Sequence, residues 1–558
     1  MFKLRLLTLL VIVSLAVGGL FAGHTPRVSA QGDTFFGKTA KDLFPDSPEK
    51  EQQAAFKALM AANIPDGHTL GDGKTITVAT LGNGARGGIS GVVYFWRNAF
   101  EAATGAKLDI VEIPFGQLGT TIPTDFQTEQ HTYDAMVSGS WFYGDYVTNG
   151  WIQPVDKFIG DKRFPTYDPN DILPALRTLY QWGGKTYGVT MDGDAQLFYY
   201  RRDILGDKKW QDEYKKATGE DLPNPPKTWQ QLLKVTSFFN GKDWNGDGDP
   251  DDGISLHLKV GQQGMFHFMS LAAGFAVNPA PGSDPRKVTK TKNVFWFDPE
   301  TMEPVINGPG QVTALEFLQK LAATGQKAQF GWELGEAWQN FFDGNAIATF
   351  SWGDVGSLSQ DETKSKIKGK LGASRILCSE DWYDMEQQKM VHDDKNPNCV
   401  GNTTGGSWHG TISAFSKNPE LTYYFLALMG TPKINFFEQT TGWMGTDPCC
   451  TYSLFPPQGK ASIDDFVAFG FNKDDFNIYI PAYADNLSSF PTYETYLRIP
   501  GTFAYWTALD VHLSEAMTGQ KTAKEALDAT AEDFKKITAD AGVDKQLKIY
   551  QESIGYSK

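Results

Sequence analysis

Residues 74–114 read KTITVATLGNGARGGISGVVYFWRNAFEAATGAKLDIVEIP. The run KTITVATL is apolar and β-branched, GNGARGG is a turn, and the next seventeen residues place apolar side chains three and four apart, as one face of a helix does. AKLDIVEIP then reads as a second strand. Strand, helix and strand in this order form the unit of a parallel sheet. Working outward, YDAMVSGS (133–140), GWIQPVDKFIG (150–160), GGKTYGVTM (183–191) and AQLFYYRRDIL (195–205) are apolar runs bounded by Gly, Pro or Asp. Helical patterns recur at TWQQLLKVTSFF (228–239), TALEFLQKLAATG (313–325) and PELTYYFLALMG (419–430), and TAKEALDATAEDFKKITADAG (522–542) lies near the end. The class is α/β.

The 558 residues are 41% hydrophobic and 13% aromatic, which is globular rather than disordered, and the net charge of −15 comes without a basic stripe to neutralise phosphates. Nucleic acid is not an expected partner. Lys3 and Arg5 precede an apolar run from Leu6 to Ala22, and Val28-Ser29-Ala30 offers small residues for cleavage. Residues 1–30 therefore read as a signal peptide, which places the protein in the periplasm or outside the cell. Residues 31–72 form a polar leader. The four cysteines, Cys378, Cys399, Cys449 and Cys450, allow three pairings; Cys378 with Cys399 around a polar hairpin-like segment is favoured, leaving Cys449 and Cys450 bridged or reduced.

Three patterns could carry chemistry. Gly82, Gly84 and Gly87 fit G-x-G-x-x-G, and Glu112 ends the next strand. This is the spacing of a dinucleotide site, but export argues against such a cofactor and for a plain ligand loop at a strand's carboxyl end. DWNGDGDPDDG (243–253) sets Asp243, Asn245 and Asp247 at loop positions 1, 3 and 5, with Gly248 at position 6, so a structural Ca²⁺ is expected, held with the Asp249 carbonyl and Asp251 or Asp252. Ile254 stands where a helix–loop–helix calcium site has its glutamate, so the loop is expected to close on Asp252. Finally, Trp141, Trp352, Trp408 and Trp443 sit in Gly-rich turns (GSWFYGD, FSWGD, GGSWHG, TGWMG), where indole faces suit sugar stacking better than core packing.

Several stretches, in order, resemble the maltose-binding-protein-like extracellular solute-binding proteins of sugar-importing ABC transporters. They are YQWGGKTYGVTMDGDAQLFYYRRDIL (180–205), PPKTWQQLLKVTSFF (225–239), FFDGNAIATFSWGDVG (341–356), GGSWHGTISAFSKNPELTYYFLALMG (405–430) and TGQKTAKEALDATAEDF (518–534). The resemblance implies a type II periplasmic-binding-protein-like fold of two discontinuous lobes joined by a multi-strand hinge. Lobe crossings are expected near 188–197, 346–352 and 407–414. Residues 73–190 with 346–408 would form the N-terminal lobe, and 191–345 with 409–558 the C-terminal one. The implied ligand residues are Trp141, Asp192, Asp194, Trp352, Asp354, Trp408 and Trp443, and the implied partners are a saccharide and an inner-membrane permease, with a monomer that performs no bond chemistry. The alternative is a secreted glycoside hydrolase pairing Asp192 or Asp194 with Asp354.

Overall fold

A computed structural model of the chain describes residues 34–280, 287–402, 407–488, 492–493 and 496–556. The expected signal peptide lies outside them. The opening unit forms as its pattern requires: strand Thr75–Leu81 pairs in parallel with Lys107–Ile113 and with Ala135–Ser138. Helix Gly88–Thr104 joins the first two strands and buries Val92, Val93, Trp96, Ala99, Phe100 and Ala103 on one face. Gly105 ends the helix at φ 67°, a left-handed cap that suits glycine. Antiparallel to Ala135–Ser138 runs His409–Ser413, which also pairs with Ile152–Gln153 and Val189–Thr190.

A second sheet orders Leu371–Ser374, Leu197–Arg201, Ala346–Ser351 and Asp252–Ile254. Each sheet is the heart of one lobe. The chain crosses from the first to the second within residues 191–196 and is back in the first at His409. Two expected lobe assignments are corrected. Ala346–Ser351 is no crossing but a strand of the second sheet, antiparallel to Leu197–Arg201, and His409–Ser413 belongs to the first sheet and not to the second lobe. Both strands are wholly buried, and a strand covered on both faces carries no local mark of which sheet it joins. Helices Pro419–Gly430 and Pro432–Thr440 stay with the first lobe, whereas Lys473–Ser488 packs against Leu371–Ser374 in the second.

The leader is not a loose tail. Helix Glu49–Ala61 docks on Pro432–Thr440, Phe44 stacks on Phe95 with ring centroids 4.7 Å apart, and Asn98 donates to the Leu43 carbonyl. Both disulfides are formed. Cys378–Cys399 closes the base of the hairpin whose strands are Asp381–Asp384 and Lys389–His392, and Cys449 is bonded to Cys450. No helix among the described residues is long and apolar enough to cross a membrane.

Candidate functional site

The crossing 191–196 carries Asp192-Gly193-Asp194. A Cβ on Gly193 would lie 2.4 Å from the Pro448 carbonyl oxygen and 2.8 Å from Cys449 Cα, so glycine is what lets the segment holding Asp447 approach. The main-chain N–H groups of Asp447 and Gly193 both donate to Asp192 Oδ1 at 2.7 Å. Gly353 N–H donates to Asp447 Oδ2 at 2.8 Å. One oxygen from each of Asp192, Asp194 and Asp447 lies within 4.8 Å of the others, and all three residues are buried. Asp354, half-buried, comes from the turn after Ala346–Ser351; a Cβ on Gly445 would stand 2.6 Å from its Oδ1. Tyrosine hydroxyls hold the surrounding turns: Tyr199 donates to the Trp352 carbonyl at 3.0 Å, Tyr479 to that of Gly353 at 2.8 Å, and Tyr483 to that of Gly193.

Burial is the largest influence on these acids and favours their neutral forms. It pushes Asp192 up to about 7 against the pull of its two amide donors. Asp194, Asp354 and Asp447 rise well above the ordinary range, first by removal from water and then by the neighbouring carboxylates. Glu438, buried nearby, is raised to about 8 although Trp96 Nε1 donates to it at 2.7 Å.

Trp141, Trp408 and Trp352 stand at strand ends facing the junction of the sheets. They are 1%, 6% and 3% exposed. Trp141 meets Trp408 edge-on at 5.6 Å and Trp506 at 5.3 Å, while Trp352 lies 5.3 Å from His257, the rings nearly parallel, and edge-on to Phe266 at 5.5 Å. His257 and His267 share a 2.9 Å contact, and burial holds both well below the usual imidazole range, so this pair is neutral. Trp443 leads into the Gly445 turn beside Asp354, but its indole has other partners. Its Nε1 donates to Glu51 at 3.0 Å and the Arg86 guanidinium covers its ring at 4.0 Å, so it ties the leader helix to the glycine-rich loop. In that loop Glu112 accepts the Gly84 N–H at 2.7 Å, and a Cβ on Gly87 would strike the Asn83 carbonyl oxygen at 2.0 Å. The glycine spacing and the acid are thus accounted for by the loop's own folding.

The acidic loop 243–252 lies apart, between helix Trp229–Phe239 and strand Asp252–Ile254. Gly246 and Gly248 take φ of 83° and 99°, and Asp243 accepts both their N–H groups. Asp251, not Asp252, turns into the loop, accepting from the main chain of Trp244 and Asn245 and from the Asn245 amide. Asp252 Oδ2 accepts from Gln326 and Asn340 on the second lobe, which corrects the expectation that Asp252 closes the loop. Asp249 and Asp247 follow the loop's turns, the Asp249 N–H donating to Asp247. Sequence reasoning passed over Asp447, Glu438 and the three tyrosines. Asp447 follows the Trp443 turn by four residues, and nothing local marks it.

The sequence profile of the bacterial extracellular solute-binding protein family matches residues 96–461. This chain belongs to that family. The mannitol-binding protein of Pseudomonas aeruginosa is 24% identical over 324 residues, 57% of this chain and 64% of that protein, so the alignment spans less than two thirds of that relative. The solute-binding protein of Agrobacterium radiobacter solved with ribitol superimposes with a TM-score of 0.63 at 19% identity, covering 84% of this chain and 99% of that one. The D-mannitol-bound protein of Agrobacterium vitis gives 0.60 at 19%, covering 84% and 99%. Maltose-bound MalE3 of T. maritima gives 0.57 at 17%, covering 83% and 99%. At these identities the structures establish the shared two-lobe fold.

Proposed function

We propose that this family member captures a polyhydroxylated solute, a polyol or saccharide, between its lobes and delivers it to the permease of an ABC transporter. The observation that carries the reading is the convergence of Asp192, Asp194, Asp354 and Asp447 where the chain passes between the two sheets. Carboxylates accept hydrogen bonds from hydroxyls, and the neighbouring Trp141, Trp352 and Trp408 supply apolar faces for ring or chain carbons. The bound polyols and maltose of the similar structures are of this chemistry. Lobe closure around the solute would then follow the hinge motion of two-lobe binders. The family's extracellular placement fits the reading of residues 1–30 as a cleaved signal and a monomer working in the periplasm or outside the cell.

We also propose that loop 243–251 holds a structural Ca²⁺ through Asp243, Asn245, Asp247, the Asp249 carbonyl and Asp251. Its oxygen-only donors suit a hard cation. The hydrolase reading is separated by turnover. Incubation with mannitol, ribitol and maltose is expected to give one-to-one saturable binding with the solute recovered unchanged. Release of new reducing ends from the maltose would overturn the binding reading.

A further inference from the structure

We propose that Asp192, Asp194 and Asp447 form a binding site for a divalent cation of the calcium type inside the interlobe cleft, coupled to solute capture. The proposal rests on the solute-binding reading of the same site. Its first support is geometric. Calcium–oxygen bonds of about 2.3–2.6 Å place the ligand oxygens of one ion no more than roughly 5 Å apart, and here one oxygen from each carboxylate lies within 4.8 Å of the other two. The second is how the carboxylates are held. Asp192 Oδ1 is fixed by two main-chain N–H groups and Asp447 Oδ2 by a third, the outer hydrogen bonding that orients metal ligands.

The third support is independent of the clustering. Asp194 Oδ2 and Asp447 Oδ1 are buried and have no hydrogen-bond partner among the described residues, although Asp194 is only 4% exposed and Asp447 is fully buried. Unpartnered buried oxygens are costly. No lysine, arginine or histidine forms an ion pair with Asp192, Asp194 or Asp447 among the described residues, so no side chain offsets the charge. A proton on Asp194 can be shared with Asp192, but protonation leaves Asp447 Oδ1 without a partner; one divalent ion offsets the repulsion and gives that oxygen a bond. Because Ca²⁺ takes six to eight oxygens, coordination positions remain for solute hydroxyls.

The test is titration calorimetry on EDTA-treated, dialysed full-length protein carrying Asp243→Asn and Asp247→Asn, which disable the peripheral loop. Added CaCl₂ is expected to bind at one remaining site. Adding Asp194→Asn, or separately Asp447→Asn, should weaken that binding by at least about tenfold, with melting curves confirming that each variant is folded. Mannitol, ribitol or maltose should bind more tightly with CaCl₂ than with EDTA. Absence of calcium heat up to about 1 mM, the weak end of extracellular calcium sites, overturns the proposal, as does an isotherm unchanged by both variants. If the solutes bind in EDTA and calcium does not bind at all, the metal site falls and the solute reading stands. If calcium binds and no solute does, the metal site stands without its coupling. Tight binding of D-glucosamine with no response to calcium also overturns the metal, since the cation would then be the solute's own ammonium.

Discussion

Two groups of aspartates define this molecule, and they are built in opposite ways. The loop 243–251 is acidic along the chain: four aspartates within nine residues, three of them exposed, whose mutual geometry is set by Gly246 and Gly248. The interlobe group is acidic only after folding. The Asp447 N–H reaches Asp192 across 255 residues, and the carboxylates are buried. In water, neighbouring charges are screened and cost little; in the interior the same charges reshape one another's protonation. The loop can therefore fail without disturbing the cleft, whereas any change at the interlobe group acts on both stability and binding.

The largest expected effect sharpens that contrast. Trp352→Ala removes a side chain that is 3% exposed and wedged between His257 and Phe266, and it should cost about 3–5 kcal/mol in denaturant unfolding as well as weaken solute binding. A loss no greater than that of a loop variant would break the comparison. Next comes the loop itself. With free calcium a hundredfold above Kd, a site bound only in the folded state contributes about 2.7 kcal/mol. Asp247→Asn should lower the unfolding free energy in calcium buffer by up to that amount, and the Tm with it, while leaving solute affinity unchanged; a change in solute affinity would mean that the two regions are coupled. Gly193→Ala drives a methyl group into Pro448 and Cys449, and about 1–3 kcal/mol of overpacking is expected together with weaker binding.

A smaller effect is the response to pH. Burial raises Asp145 and Asp510 to about 6 and Glu438 to about 8, above their values in an unfolded chain. A folded state that holds its protons more tightly has that stabilisation in full below the unfolded values, near pH 4, and loses it as pH rises through about 6 and then 8. Buried His257, His267 and His409, held below the usual imidazole range, pull the other way up to about pH 7. Calorimetric Tm in EDTA should therefore fall between about pH 7 and 8.5 as Glu438 loses its proton; a Tm rising over that range would contradict the burial of this acid.

The parts of the fold written in short-range pattern were legible. The strand–loop–helix–strand unit from Thr75 to Ile113 formed where its periodicity placed it, and the Cys378–Cys399 bridge closed around its hairpin. What the pattern lacks is partner identity. Ala346–Ser351 and His409–Ser413 are strands in either lobe as far as their own residues go, and only the long-range register assigns them. The leader was missed as structure because its contacts, Phe44 on Phe95 and Glu51 on Trp443, are with residues far along the chain. At the site, Asp192, Asp194 and Asp354 could be named only through the family resemblance of their stretches, and Asp447 not at all, since its place exists only through the Gly193 close approach. Trp443 had the same Gly-flanked setting as the other three indoles, yet its ring meets Glu51 and Arg86.

The central claim is that solute is held by the interlobe carboxylates. Titration calorimetry of Asp192→Asn against the unaltered protein, with whichever of mannitol, ribitol or maltose binds, tests it most directly. Hydrogen bonds to a charged group contribute about 1.5–3 kcal/mol, so the variant should bind at least about tenfold more weakly, at one-to-one stoichiometry and with its fold intact. An affinity equal to that of the unaltered protein would contradict the account.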